Sequence, residues 1–175
     1  LCAKPVIGDE PFAVILADDL IDATPGSLAQ MAGIYQQHGA SVIATEQVAP
    51  SETSSYGIVD AREIVEPGLL QIQGIVEKPD PASAPSNMAV VGRYILTPGI
   101  FDCLQKVQPG KGGEIQLTDA IAALLAHERV LAYQYHGRRY DCGSKLGYMQ
   151  ANVEFASRHP EIGNAFAGWL ASRKR

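Results

Sequence analysis

Phe12-Ala13-Val14-Ile15-Leu16-Ala17, followed at once by Asp18-Asp19, is the stretch from which the fold is read. Six apolar residues bounded by Asp9-Glu10-Pro11 on one side and two acids on the other have the length and content of a strand buried in a parallel sheet. Downstream, Thr24-Pro25 has the form of a helix entrance, an N-cap with proline at the first helical position, and Gly39 is placed to stop that helix after His38. Ser41 to Val48 then reads as the next strand. Strand, helix, strand is the βαβ pattern of an α/β sheet, whose ligands sit beyond the carboxyl ends of the strands, and Asp18 falls there.

Beyond this unit the pattern changes. Gly57 to Val65, Leu70 to Val76 and Ala89 to Leu96 read as strands, with the proline-rich loop Pro79 to Ser86 kept out of regular structure. Pro98 to Val107 reads as a helix and Pro109 to Gly113 as a loop. Thr118 is expected to cap a further helix, with Asp119 at its positive end and Ile121, Leu124 and Leu125 on its apolar face. Val130 to His136 is a strand. The region 145–175 is a helical end: Lys145 to Arg158 carries Leu146, Met149 and Val153 at core spacing, and Asn164 to Ser172 carries Phe166, Trp169 and Leu170. No internal repeat is visible.

The 175 residues, 46% hydrophobic and 19% charged, suffice for one compact core and exclude a disordered tail. A net charge of -5, from 14 basic and 19 acidic residues, gives no electrostatic reason for a nucleic-acid partner. The basic cluster Arg173-Lys174-Arg175 reads as a solvated terminus. Cys2, Cys103 and Cys142 have neither disulfide-framework nor zinc spacing, which fits a reducing cytoplasm. No apolar run approaches the roughly 20 residues of a membrane helix, and residues 1 to 9 do not resemble a signal peptide. The chain starts without Met, at a point that reads as the end of a helix leading into a strand.

Three short clusters carry chemistry. Asp18-Asp19 at a strand end suits a hard divalent cation shared with nucleotide phosphates; such acids also serve as solvated turn residues or helix caps. Glu77-Lys78, ahead of Pro79, offers an acceptor for sugar hydroxyls and a point charge for a phosphate; the other reading is an exposed charge pair in a turn. Asp141, in Tyr140-Asp141-Cys142-Gly143, is either a second metal ligand or the first-turn acid of the helix from Lys145. Cys142 reads as a small buried residue, and none of His38, His127, His136 and His159 has a catalytic setting.

Taken in order, FAVILADDLID (12–22), SSYGIVD (54–60), GIVEKP (74–79), APSNMAVVGRYIL (84–96), GGEIQLTDAI (112–121) and YDCGSKLGYMQA (140–151) resemble the bacterial UTP:glucose-1-phosphate uridylyltransferases from Pro11 through Ala151. The resemblance implies an α/β, Rossmann-like nucleotidyltransferase fold, a mixed sheet flanked by helices, incomplete at its N-terminal side. Residues 1–175 would be the carboxyl-terminal portion of a single catalytic domain. It implies Mg²⁺ held by Asp18 and Asp141, glucose hydroxyls met by Glu77, the sugar phosphate met by Lys78, and backbone approach to the sugar at Gly57 and Gly92. Gly57 is also open to reading as a turn or bulge. Asn87, Glu114 and Lys145 lie inside the motifs without an assigned contact.

The implied substrates are UTP and glucose 1-phosphate, the products UDP-glucose and pyrophosphate, and the implied assembly a cytoplasmic homo-oligomer. The family's glycine-rich G-x-G-T-R loop and following P-K-E motif have no counterpart in this sequence, so the chain by itself is expected to be inactive. Two rivals stand: a related enzyme using another nucleotide such as dTTP, and a non-catalytic sugar-phosphate-binding or assembly module.

Overall fold

The computed structural model describes residues 1–63, 66–110 and 113–173. The expected strand end at Ile64-Val65, Lys111-Gly112 in the expected loop, and Lys174-Arg175 of the basic cluster lie outside the described residues. The elements run α1 (Lys4–Ile7), β1 (Phe12–Ile15), β2 (Asp19–Asp22), α2 (Ser27–His38), β3 (Ser41–Gln47), a 3₁₀ turn (Pro50–Ser55), β4 (Gly57–Glu63), β5 (Leu69–Glu77), β6 (Met88–Leu96), α3 (Gly99–Lys106), α4 (Leu117–Leu124), β7 (Val130–Gln134), β8 (Arg138–Asp141), α5 (Lys145–Arg158) and α6 (Gly163–Ser172).

Six strands form a mixed sheet in the order β1-β6-β3-β7-β5-β4, with β3 and β7 parallel. The hairpin of β4 and β5 folds back, so that Ile58 also pairs with Ala89 of β6. The main core lies between this sheet and α3 and α4, around Ile43, Val59, Leu96, Ile100, Phe101, Ile121 and Leu124. A second cluster, Met31, Val42, Ala44, Val91 and Ile95, is covered by α2. Both faces of the sheet are thus flanked by helices, as the α/β reading requires.

The stretch that opens the fold departs from expectation. β1 is not hydrogen-bonded in a parallel pair. It runs antiparallel to β6, with Phe12 opposite Leu96 and Ile15 opposite Arg93. β6 is inserted between β1 and β3 and pairs antiparallel with both, so β1 and β3 share a direction without touching. The most deeply buried strand flanking β3 is therefore β6, whereas alternate residues of β1 are exposed.

Three helix details also differ. α2 begins at Ser27 with Gly26 at its cap, and the Thr24–Pro25 peptide, which is cis, precedes it; Gly39 ends the helix in the left-handed region as expected. α4 is preceded by Gln116 at its cap position, and Thr118 lies inside the first turn. In α5 the residues at core spacing face outward, with Leu146 69%, Met149 56% and Val153 38% exposed. The buried face is made by Gly147 and Ala151, whose small size lets the helix lie close on β8. In α6, Phe166 and Leu170 are partly buried and Trp169 is half exposed, its ring against Phe166.

Among the described residues, no helix is long and apolar enough to cross a membrane.

Candidate active site

The two-stranded sheet of β2 and β8 builds one wall of the site. Leu16 leaves β1 by donating its N–H to the Gly92 carbonyl (2.9 Å), and a tight turn places Asp19 opposite Asp141 in the antiparallel register. The Asp18 carbonyl accepts the Cys142 N–H at 2.7 Å. Asp141 is fixed at its carbonyl by the Ser144 hydroxyl (3.0 Å), and Ser144, the cap of α5, accepts the Gly147 N–H (3.0 Å). The helix cap is thus Ser144, which leaves the Asp141 side chain out of that role. A Cβ at Gly143 would lie 2.9 Å from Asp18 Oδ2 and 3.1 Å from Asp141 Oδ1, so both carboxylates face the space that this glycine leaves open.

The opposite wall is the end of β5. Glu77 pairs with Gly57 of β4, and Lys78 follows with φ of 45°, its N–H donated to the Tyr56 carbonyl (3.0 Å). Lys78 Nζ stands 3.7 Å from Glu77 Oε1, while Glu77 Oε2 accepts the Thr118 hydroxyl at 2.6 Å.

Between the walls lies a cavity of about 690 Å³. Asp18, Gly57, Glu77, Lys78, Gly92 and Asp141, the six residues to which the resemblance gives a role, all line it, although they come from five separate stretches of the chain. Asp19, Glu52, Tyr56, Tyr94, Thr118 and Arg139 complete much of the lining. Five carboxylates (Asp18, Asp19, Glu52, Glu77, Asp141) thus face two cations, Lys78 and Arg139.

The two glycines have packing reasons of their own. A Cβ at Gly92 would fall 2.5 Å from Leu16 Cβ and 2.6 Å from Asp19 Oδ2, its N–H is donated to Asp19 Oδ2 (2.7 Å), and its carbonyl accepts from Leu16 and Arg93. A Cβ at Gly57 would come within 3.3 Å of both Glu77 Oε2 and Thr118 Oγ1. Each absent side chain leaves room for the groups that hold the cavity's acids.

Arg139 is a site residue that the sequence pattern does not announce. Its Nε bonds Asp19 Oδ1, its guanidinium lies over the Tyr56 ring with 5.2 Å to the centroid, and its side chain is 9% exposed. Burial pulls this guanidinium down, but the neighbouring Tyr56 and the charge and hydrogen bond of Asp19 outweigh it and hold the group above its ordinary value. Burial, then the charges of Glu77 and Asp19, push the Tyr94 hydroxyl up to about 12. The only hint of Arg139 in sequence is the period of two that sets it on the same face of a strand as Asp141. Thr118 gives no such hint, because its partner Glu77 lies on a distant strand.

With Asp18 facing Asp141 across Gly143, Asp19 taken up by Gly92 and Arg139, and the adjacent Glu77 and Lys78 in the same cavity, the arrangement suits an anionic, hydroxylated ligand carried with a cation. A nucleotidyl transferase family model matches residues 1–158, and the chain belongs to that family. Within it, the chain is 49% identical over 153 residues to UTP–glucose-1-phosphate uridylyltransferase of Pseudomonas aeruginosa, covering 86% of this chain and 54% of that protein. The crystal structure of UDP-glucose pyrophosphorylase complexed with UDP-glucose superposes with a TM-score of 0.85 at 48% identity, over 89% of this chain and 60% of that one. A UTP-bound UDP-glucose pyrophosphorylase from Acinetobacter baumannii gives a TM-score of 0.86 at 41% identity, over 99% and 60%. The chain therefore spans little more than half the length of these relatives.

Proposed function

We propose that the full-length protein transfers a uridylyl group from UTP to glucose 1-phosphate, giving UDP-glucose and pyrophosphate, and that this chain supplies the sugar-phosphate side of the site and its cation ligands. The observation that carries this reading is the convergence of Asp18, Asp141, Glu77 and Lys78 on one cavity. The close likeness to relatives of that name supports it.

A phosphate oxygen of glucose 1-phosphate attacks the α-phosphorus of UTP in line. A new P–O bond forms as the bond from the α-phosphorus to the bridging oxygen breaks, and that electron pair leaves on pyrophosphate. No covalent enzyme intermediate is needed; the residues position and neutralise. Glu77 accepts sugar hydroxyls, and Lys78 meets the sugar phosphate as a point charge. Asp18 and Asp141 would hold Mg²⁺, a fit supported by their facing oxygens across Gly143 and by the excess of carboxylates in the lining. Bound there, the ion would supply neutralisation of the phosphate charge. The protein works in the cytoplasm as a homo-oligomer; its free thiols Cys2, Cys103 and Cys142 suit a reducing compartment.

The test is the full-length protein with Mg²⁺, glucose 1-phosphate and either UTP or dTTP, measuring sugar nucleotide and pyrophosphate. Faster turnover with UTP supports the reading. A preference for dTTP assigns another nucleotide, and binding of the sugar phosphate without turnover makes the protein a binding module.

A further inference from the structure

The Glu77 carboxylate has two oxygens in different surroundings. Oε2 accepts the Thr118 hydroxyl at 2.6 Å, and Oε1 is 3.7 Å from Lys78 Nζ, a gap too long for a good hydrogen bond. An ionised carboxylate only accepts, and a charge-assisted bond from a hydroxyl is strong enough to fix its orientation. Thr118 reaches Glu77 from the first turn of α4, and the missing side chain of Gly57 leaves the room in which the two atoms meet.

We infer that Thr118 is a positioning residue for the sugar: by holding Oε2 it fixes the orientation of the Glu77 carboxylate, so that Oε1 is aimed at a sugar hydroxyl with the Lys78 ammonium 3.7 Å away for the sugar phosphate. The inference rests on the glucose 1-phosphate reading of the cavity. Thr118 acts through Glu77, with its hydroxyl already given to that carboxylate. Loss of the hydroxyl frees the Glu77 carboxylate to turn, and the sugar contacts of Glu77 and of the Lys78 beside it weaken together while the UTP contacts do not change.

The experiment compares Thr118→Val, Thr118→Ala, Thr118→Ser and Glu77→Gln in the full-length protein, with KM for glucose 1-phosphate and for UTP measured separately and folding checked by thermal unfolding. Thr118→Val is expected to raise KM for glucose 1-phosphate by about 10-fold, as loss of a hydrogen bond to a charged group implies, with KM for UTP within about 2-fold. Thr118→Ala repeats the test should the valine variant fold poorly, and Thr118→Ser, which keeps the hydroxyl, restores the wild-type value. If Glu77→Gln raises the sugar KM while neither Thr118→Val nor Thr118→Ala does, Thr118 has no positioning role and the sugar site stands. If Glu77→Gln also leaves that KM unchanged, the sugar-site reading falls and takes this inference with it.

Discussion

Asp19 and Arg139 form a buried ion pair across β2 and β8, with Asp19 also accepting the Gly92 N–H at 2.7 Å. Arg139, on the strand that carries Asp141, also lies over the Tyr56 ring and so reaches from the β2–β8 wall to the segment beside Lys78. Both side chains of the ion pair are about nine-tenths buried. Removing one partner leaves the other charged and unpaired, so Arg139→Met is expected to cost about 3–5 kcal/mol. Urea unfolding measures this, and a change below about 1 kcal/mol would show the pair to be dispensable.

Glu46 gives a signed pH dependence. Burial raises its carboxyl above the ordinary value of 4.5, against the opposing charge of Arg139 and with a smaller contribution from Asp19. An acid whose folded value is raised binds its proton more tightly when folded. Its contribution is present in full below 4.5 and is lost as pH rises through the raised folded value. Glu46→Gln should therefore match the wild type near pH 4 and be more stable at pH 7, by less than about 1 kcal/mol because the side chain is 42% exposed. Urea midpoints at the two pH values decide it; a glutamine variant weaker at pH 7 would show that attraction to Arg139 dominates.

The outward face of α5 makes a contrast with the core. Leu146→Ala, at a site 69% exposed, should change stability by no more than about 0.5 kcal/mol, whereas Leu124→Ala, at 1% exposed, should cost about 2–5 kcal/mol. Equal costs would place Leu146 against a surface that covers it in the whole protein.

Much of this architecture is legible in the chain because it is written locally. The apolar runs of β3, β5 and β6, the proline-rich loop, and the glycine that ends α2 each follow from a few neighbouring residues. The acids at strand ends are legible for the same reason: a buried run that stops at a carboxylate delivers it to an edge. What is not legible depends on partners far away. Asp19–Asp22 becomes a strand only because Arg138–Asp141 returns to pair with it, and β1 pairs antiparallel only because β6 intrudes between it and β3. Spacing in α5 defines a face but carries no information on what that face meets; Gly147 and Ala151, weak as apolar signals, are the residues buried on the β8 side. Thr118 has the look of a cap because a hydroxyl before an apolar run usually is one, and its use on Glu77 is visible only in three dimensions.

Residues 1–175 on their own should form no measurable UDP-glucose with Mg²⁺, UTP and glucose 1-phosphate. The cavity holds the groups proposed to meet the sugar phosphate and the cation, but the sequence contains no G-x-G-T-R loop to align the α-phosphorus and receive pyrophosphate. Losing one preorganised donor commonly costs about 10²-fold or more in rate, and here a whole set is lacking. Turnover at ordinary enzymatic rates by these residues alone would place the triphosphate on groups whose roles are otherwise structural.

Lys78 lines the same cavity as Asp18 and Asp141, beside Glu77, and it is the one residue proposed to meet the phosphate of the sugar and of no other substrate. Steady-state kinetics of Lys78→Ala in the full-length protein, with each substrate varied in turn, tests that placement most directly. A rise of about 10-fold or more in KM for glucose 1-phosphate, with KM for UTP little changed, is the expected result. An equal effect on both substrates, or none on either, would contradict it and remove the sugar phosphate from this cavity.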